Sequence, residues 1–194
     1  MRIDKNLNFT FPIETLSGTM HVYSVPIGRN VFEQYYAELG AVFTKCFSSD
    51  DAKHIALTAP QLAYPALKRA SIDAGTWDKP SGVKNGLIQE IVRLTSVAMV
   101  SGKGWETLPM DVALKRNLLD EDAEAEVLSN LVFTCAISKV APKALAGTFL
   151  EMASSLRSWQ FTSLDFTEYL NSLKTLTAIE PTKKKTSRVV SSPT

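Results

Sequence analysis

Cysteine is scarce in this chain, with two in 194 residues. Cys46 and Cys135 stand far apart, each inside an apolar helical pattern, so neither a disulfide framework nor a thiolate metal site is expected, and both read as buried thiols. Histidine is equally scarce. His21 falls in a strand pattern and His54 near a helix start, and neither has an acid and a nucleophile at a catalytic spacing. Glycine-rich phosphate loops and the GxSxG elbow are absent. Gly102-Lys103-Gly104 lacks the remaining glycines and the following Ser or Thr, and reads as a tight turn. Glu124 and Glu126 are two apart and do not share a helix face. Asp120-Glu121-Asp122 lacks the spaced oxygens and central glycine of a calcium loop, and complements a helix N-terminus instead. The expectation is therefore a protein with no catalytic residue, no metal and no cofactor, and not an enzyme.

Long apolar runs are missing too. None approaches the roughly 18–20 residues that span a bilayer, and the mean hydropathy is −0.01. The opening MRIDKNLNF has no apolar stretch after its charges, unlike a secretory signal. No membrane partner and a cytoplasmic location are expected. The net charge of +1 hides an asymmetry. Residues 174–194 hold Lys174, Lys183, Lys184, Lys185 and Arg188 against Glu180, a net of +4, which leaves −3 on residues 1–173. A weakly acidic body does not suit a nucleic-acid-binding domain.

What is present is periodicity. Leu7, Phe9, Phe11 and Ile13 alternate with Asn8, Thr10 and Pro12, which is the pattern of a half-buried strand. Leu16-Ser17-Gly18-Thr19 supplies a turn, and Met20, Val22 and Ser24 then alternate with His21, Tyr23 and Val25. Together these predict a β-hairpin, with Pro12 placing the first strand at a sheet edge. Asn30 and Glu33 have capping-box spacing ahead of a helix over about 30–47, whose stripe is Phe32, Tyr36, Leu39, Phe43 and Cys46. Ser49 and Asp50 cap the next stretch, over 51–74. Pro60 and Pro65 predict two short helices or a kinked one there, ended by Gly75. After a loop over 77–82, Val83, Leu87, Ile91, Leu94 and Ala98 predict a third major helix. Thr107 and Pro109 open a short helix that ends near Asn117. Asp120 begins a longer one whose apolar face is Leu128, Leu131, Val132, Cys135 and Ile137 or Val140. Pro142 opens another, with Leu145, Phe149, Met152 and Leu156, and Ser163 caps a last short helix with Phe166, Tyr169, Leu170 and Leu173. Past Lys174 the periodicity stops and Ser, Thr, Pro and Lys dominate.

The expected architecture is a single α+β domain over 1–173, mainly helical, with a β-hairpin over 1–27 and helices over 28–173. A disordered basic tail covers 174–194. Trp77 and Trp105, beside loops, read as lids over a core. The densest aromatic group is Trp159, Phe161, Phe166 and Tyr169. Packing of the terminal helix accounts for it most simply, and the sharper expectation is a partner-binding patch, because aromatic anchors dominate interfaces.

Several stretches resemble tail assembly chaperones of long-tailed, siphovirus-type bacteriophages: MRIDKNLNFTFPIE, PIGRNVFEQYYAELG, GLIQEIVRLTSV and GWETLPMDVALKRNLLDEDAEAEVLSNLVF. The resemblance covers about 1–47 and 83–140 and fades after about 141. It implies a protein of the infected bacterial cytoplasm, absent from the finished virion; a homo-oligomer is left open. Its partners would be the tape measure protein, which it keeps soluble, and the major tail tube protein, which it recruits. That family is often made in two lengths, the longer by a frameshift, and Lys183-Lys184-Lys185 is compatible with a slippery A-rich codon run, although a solubilising basic patch accounts for the lysines more simply. The competing readings are a completion or minor tail protein retained in the particle, a small nucleic-acid-binding regulator, and an enzyme of unknown kind.

Overall fold

The hairpin forms where alternation places it. In the computed structural model, β2 (Phe9–Thr15) pairs antiparallel with β3 (Gly18–Ser24) from Phe9↔Ser24 to Thr15↔Gly18. Gly18 takes the positive φ (+114°) that the turn demands of it. Phe9, Phe11, Ile13, Met20 and Val22 are all buried on one face. The structure describes residues 2–3, 8–16, 18–46, 52–101, 104–140, 160–161 and 165–173.

The hairpin is the middle of a larger sheet. The strand order is β5-β4-β3-β2-β1-β6, with β1 at Arg2–Ile3, β4 at Thr95–Ser101, β5 at Gly104–Pro109 and β6 at Gln160–Phe161. All neighbours are antiparallel except β1 and β6. The fold is α+β, but the expectation of helices alone over 28–173 is corrected, because β4, β5 and β6 lie within that range. The expectation that β2 is an edge strand is also corrected. β2 is interior where Arg2 and Ile3 pair with Thr10 and Phe9. The pairing with β1 stops before Pro12, so the missing N–H falls where β1 offers no ladder bond.

The helix expected over 30–47 is two. α1 (Arg29–Gln34) has Gly28 as its N-cap without a side-chain bond, so the Asn30–Glu33 capping box does not form. Glu33 pairs instead with Arg29 at 2.7 Å on the exposed surface, a contact worth little. The chain breaks at Tyr35 (φ −112°, ψ +25°) before α2 (Tyr36–Cys46). The buried stripe becomes Phe32, Tyr35, Leu39, Val42 and Cys46, while Tyr36 is 61% exposed and Phe43 half-buried. Tyr35 runs over Gly86, and its hydroxyl donates to Ser81 O at 2.9 Å.

Region 51–74 holds a single helix, α3 (Ala52–Asp73), with both prolines inside it. Pro65 cannot donate to Gln61 O, and Ser129 Oγ of a neighbouring helix approaches that carbonyl at 3.4 Å. Gly75 (φ +65°) closes α3 in a Schellman arrangement, with Thr76 N on Ser71 O at 2.8 Å and Gly75 N on Ile72 O at 2.9 Å. The third helix is corrected as well. A π-helical turn (Val83–Ile88) and α4 (Gln89–Arg93) stop at Leu94, and Ala98 lies in β4. Thr95 ends the helical stretch, its Oγ1 lying 2.7 Å from Ile91 O and 2.9 Å from Ser24 Oγ. Thr107 belongs to β5, and the short helix is α5 (Met110–Lys115), with Asn117 at φ +52° beyond it.

α6 (Glu121–Val140) is the centre of the molecule, packed on α3, α2 and β2. Asp120 caps it through Oδ1, which accepts from Ala123 N at 2.9 Å. Every residue from Val127 to Ile137 is buried, so the expected apolar face is correct but the helix is enclosed on all sides. Two of the enclosed polar side chains bond inside the helix: Asn130 Nδ2 donates to Glu126 O, and Thr134 Oγ1 to Asn130 O. The last described helix is α7 (Phe166–Ser172). Its cap is Asp165 with Glu168 in a reciprocal capping box, while Ser163, expected to be the cap, lies outside the described residues. Ser49, Asp50, the helix expected after Pro142 and the tail over 174–194 also lie outside them.

Candidate functional site

Period-two alternation gives the sheet two working faces. Phe9, Phe11, Ile13, Met20, Val22 and Val97 face the main core. His21, Tyr23 and Ala98 alternate with these residues, and the register sets Trp105 opposite Val100 and Thr107 opposite Ala98 on that same outer side. α7 covers this outer face. Phe166 stacks on Tyr23 with centroids 4.7 Å apart and planes at 18°. Tyr169 Oη lies 3.0 Å from His21 Nδ1. His21 is held edge-on between Trp105 (5.1 Å) and Tyr169 (5.4 Å). Ala98, Tyr169 and Leu170, flanked by Trp105, Phe166 and Leu173, form an apolar cluster separate from the main core.

Two of the four aromatic residues singled out from the sequence are thus brought together, facing inward. Tyr169 is buried and Phe166 half-buried against Tyr23. Phe161 lies in β6 opposite Ile3, and Trp159 lies outside the described residues. As placed, Phe166 and Tyr169 anchor α7 to the sheet. The residues they meet, His21, Tyr23 and Trp105, were not grouped with them at the sequence level. The available signal was the polar-looking side of β3, where a histidine and a tyrosine alternate with apolar residues. Trp77 does lie over the core, buried, with the Lys68 ammonium 5.8 Å from its ring.

Two polar features mark the outer-face cluster. Trp105 Nε1 is buried and finds no acceptor among the described residues, and an unmade bond of this kind costs about 1–3 kcal/mol. Burial lowers the pKa of His21, partly opposed by Glu14, which itself accepts from Thr19 Oγ1 at 3.0 Å. The unfolded chain therefore binds a proton at His21 more readily than the folded one. That contribution is fully present above the unfolded value near 6.5 and is lost as pH falls below it toward the folded pKa. The urea midpoint is expected to be lower at pH 5.5 than at 7.5. His21→Gln should remove most of that difference, and an equal drop in the variant would place its origin elsewhere.

A second surface lies between α2 and α3. An open furrow of about 490 Å³ is lined by Ala41, Lys45, Leu62, Pro65, Ala66, Arg69, Ala70 and Asp73. Leu62 is 43% exposed beside it. Leu62, Ala66 and Ala70 recur every four residues along one side of α3. Alanines carry little hydropathic contrast, so no stripe announced this surface in the sequence. A smaller furrow of about 310 Å³ runs between α3 and α6 past Gln61, Tyr64 and Asn130. Cys46, its thiol pushed up to about 11 by burial, and Cys135 are both buried. Among the described residues no three His, Cys, Asp or Glu side chains are grouped to hold a metal, and no helix is long and apolar enough to cross a membrane. Nothing in them indicates an enzymatic activity. No protein-family model, curated protein or solved structure matches the chain.

Proposed function

We propose that this chain is a tail assembly chaperone of a long-tailed bacteriophage, holding the tape measure protein soluble in the infected cell and recruiting tail tube subunits to it. Support comes from the resemblance of residues 1–47 and 83–140 to that family. The geometric observation that carries the reading is the open α2–α3 furrow. A long helix with an apolar stripe aggregates if left bare. A shallow apolar channel between two helices, floored by alanines that let a third backbone approach, is the complement of such a stripe. The rim carries both signs, with Lys45 on one side and the Arg69–Asp73 pair, 2.9 Å apart, on the other.

The test is co-expression with the tape measure protein followed by affinity capture. Ala41 and Leu62 are exposed in the free chain, so Ala41→Glu and Leu62→Glu should leave the circular dichroism spectrum native. Seating a carboxylate against an apolar stripe should weaken capture by about tenfold or more. Undiminished capture would remove the furrow from the reading. The competing function, a completion or minor tail protein, is separated by purified virions, which should lack the chain if it is a chaperone and contain it if it is a tail component.

A further inference from the structure

The outer face of the sheet is only partly used by the helix that covers it. α7 is two turns long, well short of the roughly 12–15 residues at which an isolated helix begins to hold in water. Its reciprocal Asp165–Glu168 capping box closes its N-terminus. No backbone hydrogen bond among the described residues ties it to the sheet. Its side chains join the sheet through the Tyr169–His21 bond, the Phe166–Tyr23 stack and the small cluster around Ala98. The face is incompletely served in two independent respects. The indole N–H of Trp105 is buried without an acceptor among the described residues. Val100, paired with Trp105 on that face, remains 52% exposed.

We propose that α7 is a displaceable cover, and that the sheet face beneath it docks an amphipathic helix of a partner protein in its place. α7 itself defines the chemistry of the occupant. Phe166, Tyr169, Leu170 and Leu173 are spaced i, i+3, i+4, i+7, so the partner helix repeats that apolar spacing. It is longer than α7, so that it also buries Val100, and it brings a carbonyl, amide or carboxylate oxygen to Trp105 Nε1. Such a helix gains what α7 leaves unmade, and this is the differential affinity that displacement requires. This surface is distinct from the α2–α3 furrow, and the inference stands whether or not the chain handles a tape measure protein.

The experiment uses the full chain and a fluorescein-labelled synthetic peptide of sequence Asp165–Lys174, which copies α7. In the wild type the peptide competes with the tethered α7. In Leu170→Ser the internal cover is weakened, so the peptide is expected to bind about tenfold more tightly by anisotropy, because the competent fraction rises. In the wild-type chain, hydrogen exchange should release the amides of α7 well before those of β3 and β4. Equal binding to both proteins, no binding to the variant, or α7 amides that exchange only with global unfolding would each overturn the proposal. If Leu170→Ser fails to fold, Phe166→Ala takes its place, with the exchange measurement standing unaltered. A wild-type dimer that the peptide dissociates would also overturn it, by showing that the occupant is α7 of a second copy.

Discussion

Gly82→Ala is expected to destabilise the fold by about 3 kcal/mol, enough to move the urea midpoint far below that of the wild type. Gly82 has φ −78° and ψ −178°, a conformation open to any residue, so its glycine is not required by backbone torsion. The requirement is space. A Cβ there would lie 2.1 Å from Thr76 O, 2.9 Å from Lys79 N and 3.0 Å from Lys79 O. All three are backbone atoms in a tightly bonded loop. Gly82 N donates to Lys79 O at 2.9 Å, Val83 N to Thr76 O at 3.1 Å and Lys84 N to Trp77 O at 3.1 Å. Relieving the clash means breaking bonds that position the π-helical turn under Tyr35. Gly40 supplies the control. It lies inside α2 with nothing within 4 Å of a built Cβ, so Gly40→Ala should stabilise by about 0.5–1 kcal/mol. Equal effects at the two positions would show that the loop yields and that space at Gly82 is not limiting.

Gly82 also shows where sequence reading runs out. Lys79-Pro80-Ser81-Gly82 announces a loop through turn chemistry, and a loop is what forms. Nothing local reveals that the loop folds back on Thr76 or that Tyr35, 47 residues earlier, drops its hydroxyl beside it. The hairpin over Phe9–Ser24, the cap at Asp120 and the end of α3 at Gly75 were legible, because each depends on residues within a few positions of one another. The strands β4 and β5 were not. Val83, Leu87, Ile91, Leu94 and Ala98 keep helical spacing, and the first four do lie in or directly beside the helical stretch. The period then switches at Thr95 without a proline or glycine to mark it. What decides the switch is tertiary: β3 offers an edge to Thr95–Ala98, and the Thr95 hydroxyl satisfies Ile91 O.

The aromatic site was half legible for a related reason. The density of Phe166 and Tyr169 was visible, and so was their common helix. Whether they point out or in depends on His21 and Tyr23 from the N-terminal hairpin and Trp105 from the middle of the chain, which meet them only once the sheet exists. The α2–α3 furrow was invisible, since its floor is alanine and its shape comes from the spacing of two helices.

Leu131→Ala is expected to cost about 3–4 kcal/mol, whereas Tyr36→Ala should cost less than about 1 kcal/mol, although periodicity assigns both to core stripes. On α1 and α2 two interleaved stripes share Phe32, Leu39 and Cys46. One adds Tyr36 and Phe43, the other Tyr35 and Val42. Both satisfy helical spacing, so hydropathy cannot choose between them. The break at Tyr35 chooses, rotating Tyr35 inward and leaving Tyr36 61% exposed, with only an edge-on contact to Phe32 at 5.8 Å. On α6 there is no such choice, because the helix is buried all round between Val127 and Ile137. Leu131 is completely buried, and α6 meets α2, α3 and β2. A cavity left there is walled by elements that hold one another in place, so collapse recovers little of the loss. Urea unfolding of both variants beside the wild type measures the contrast. Comparable losses would mean that α1 and α2 present the other stripe to the core, with Tyr36 inside. A small loss at Leu131 would mean that α6 is not the central helix.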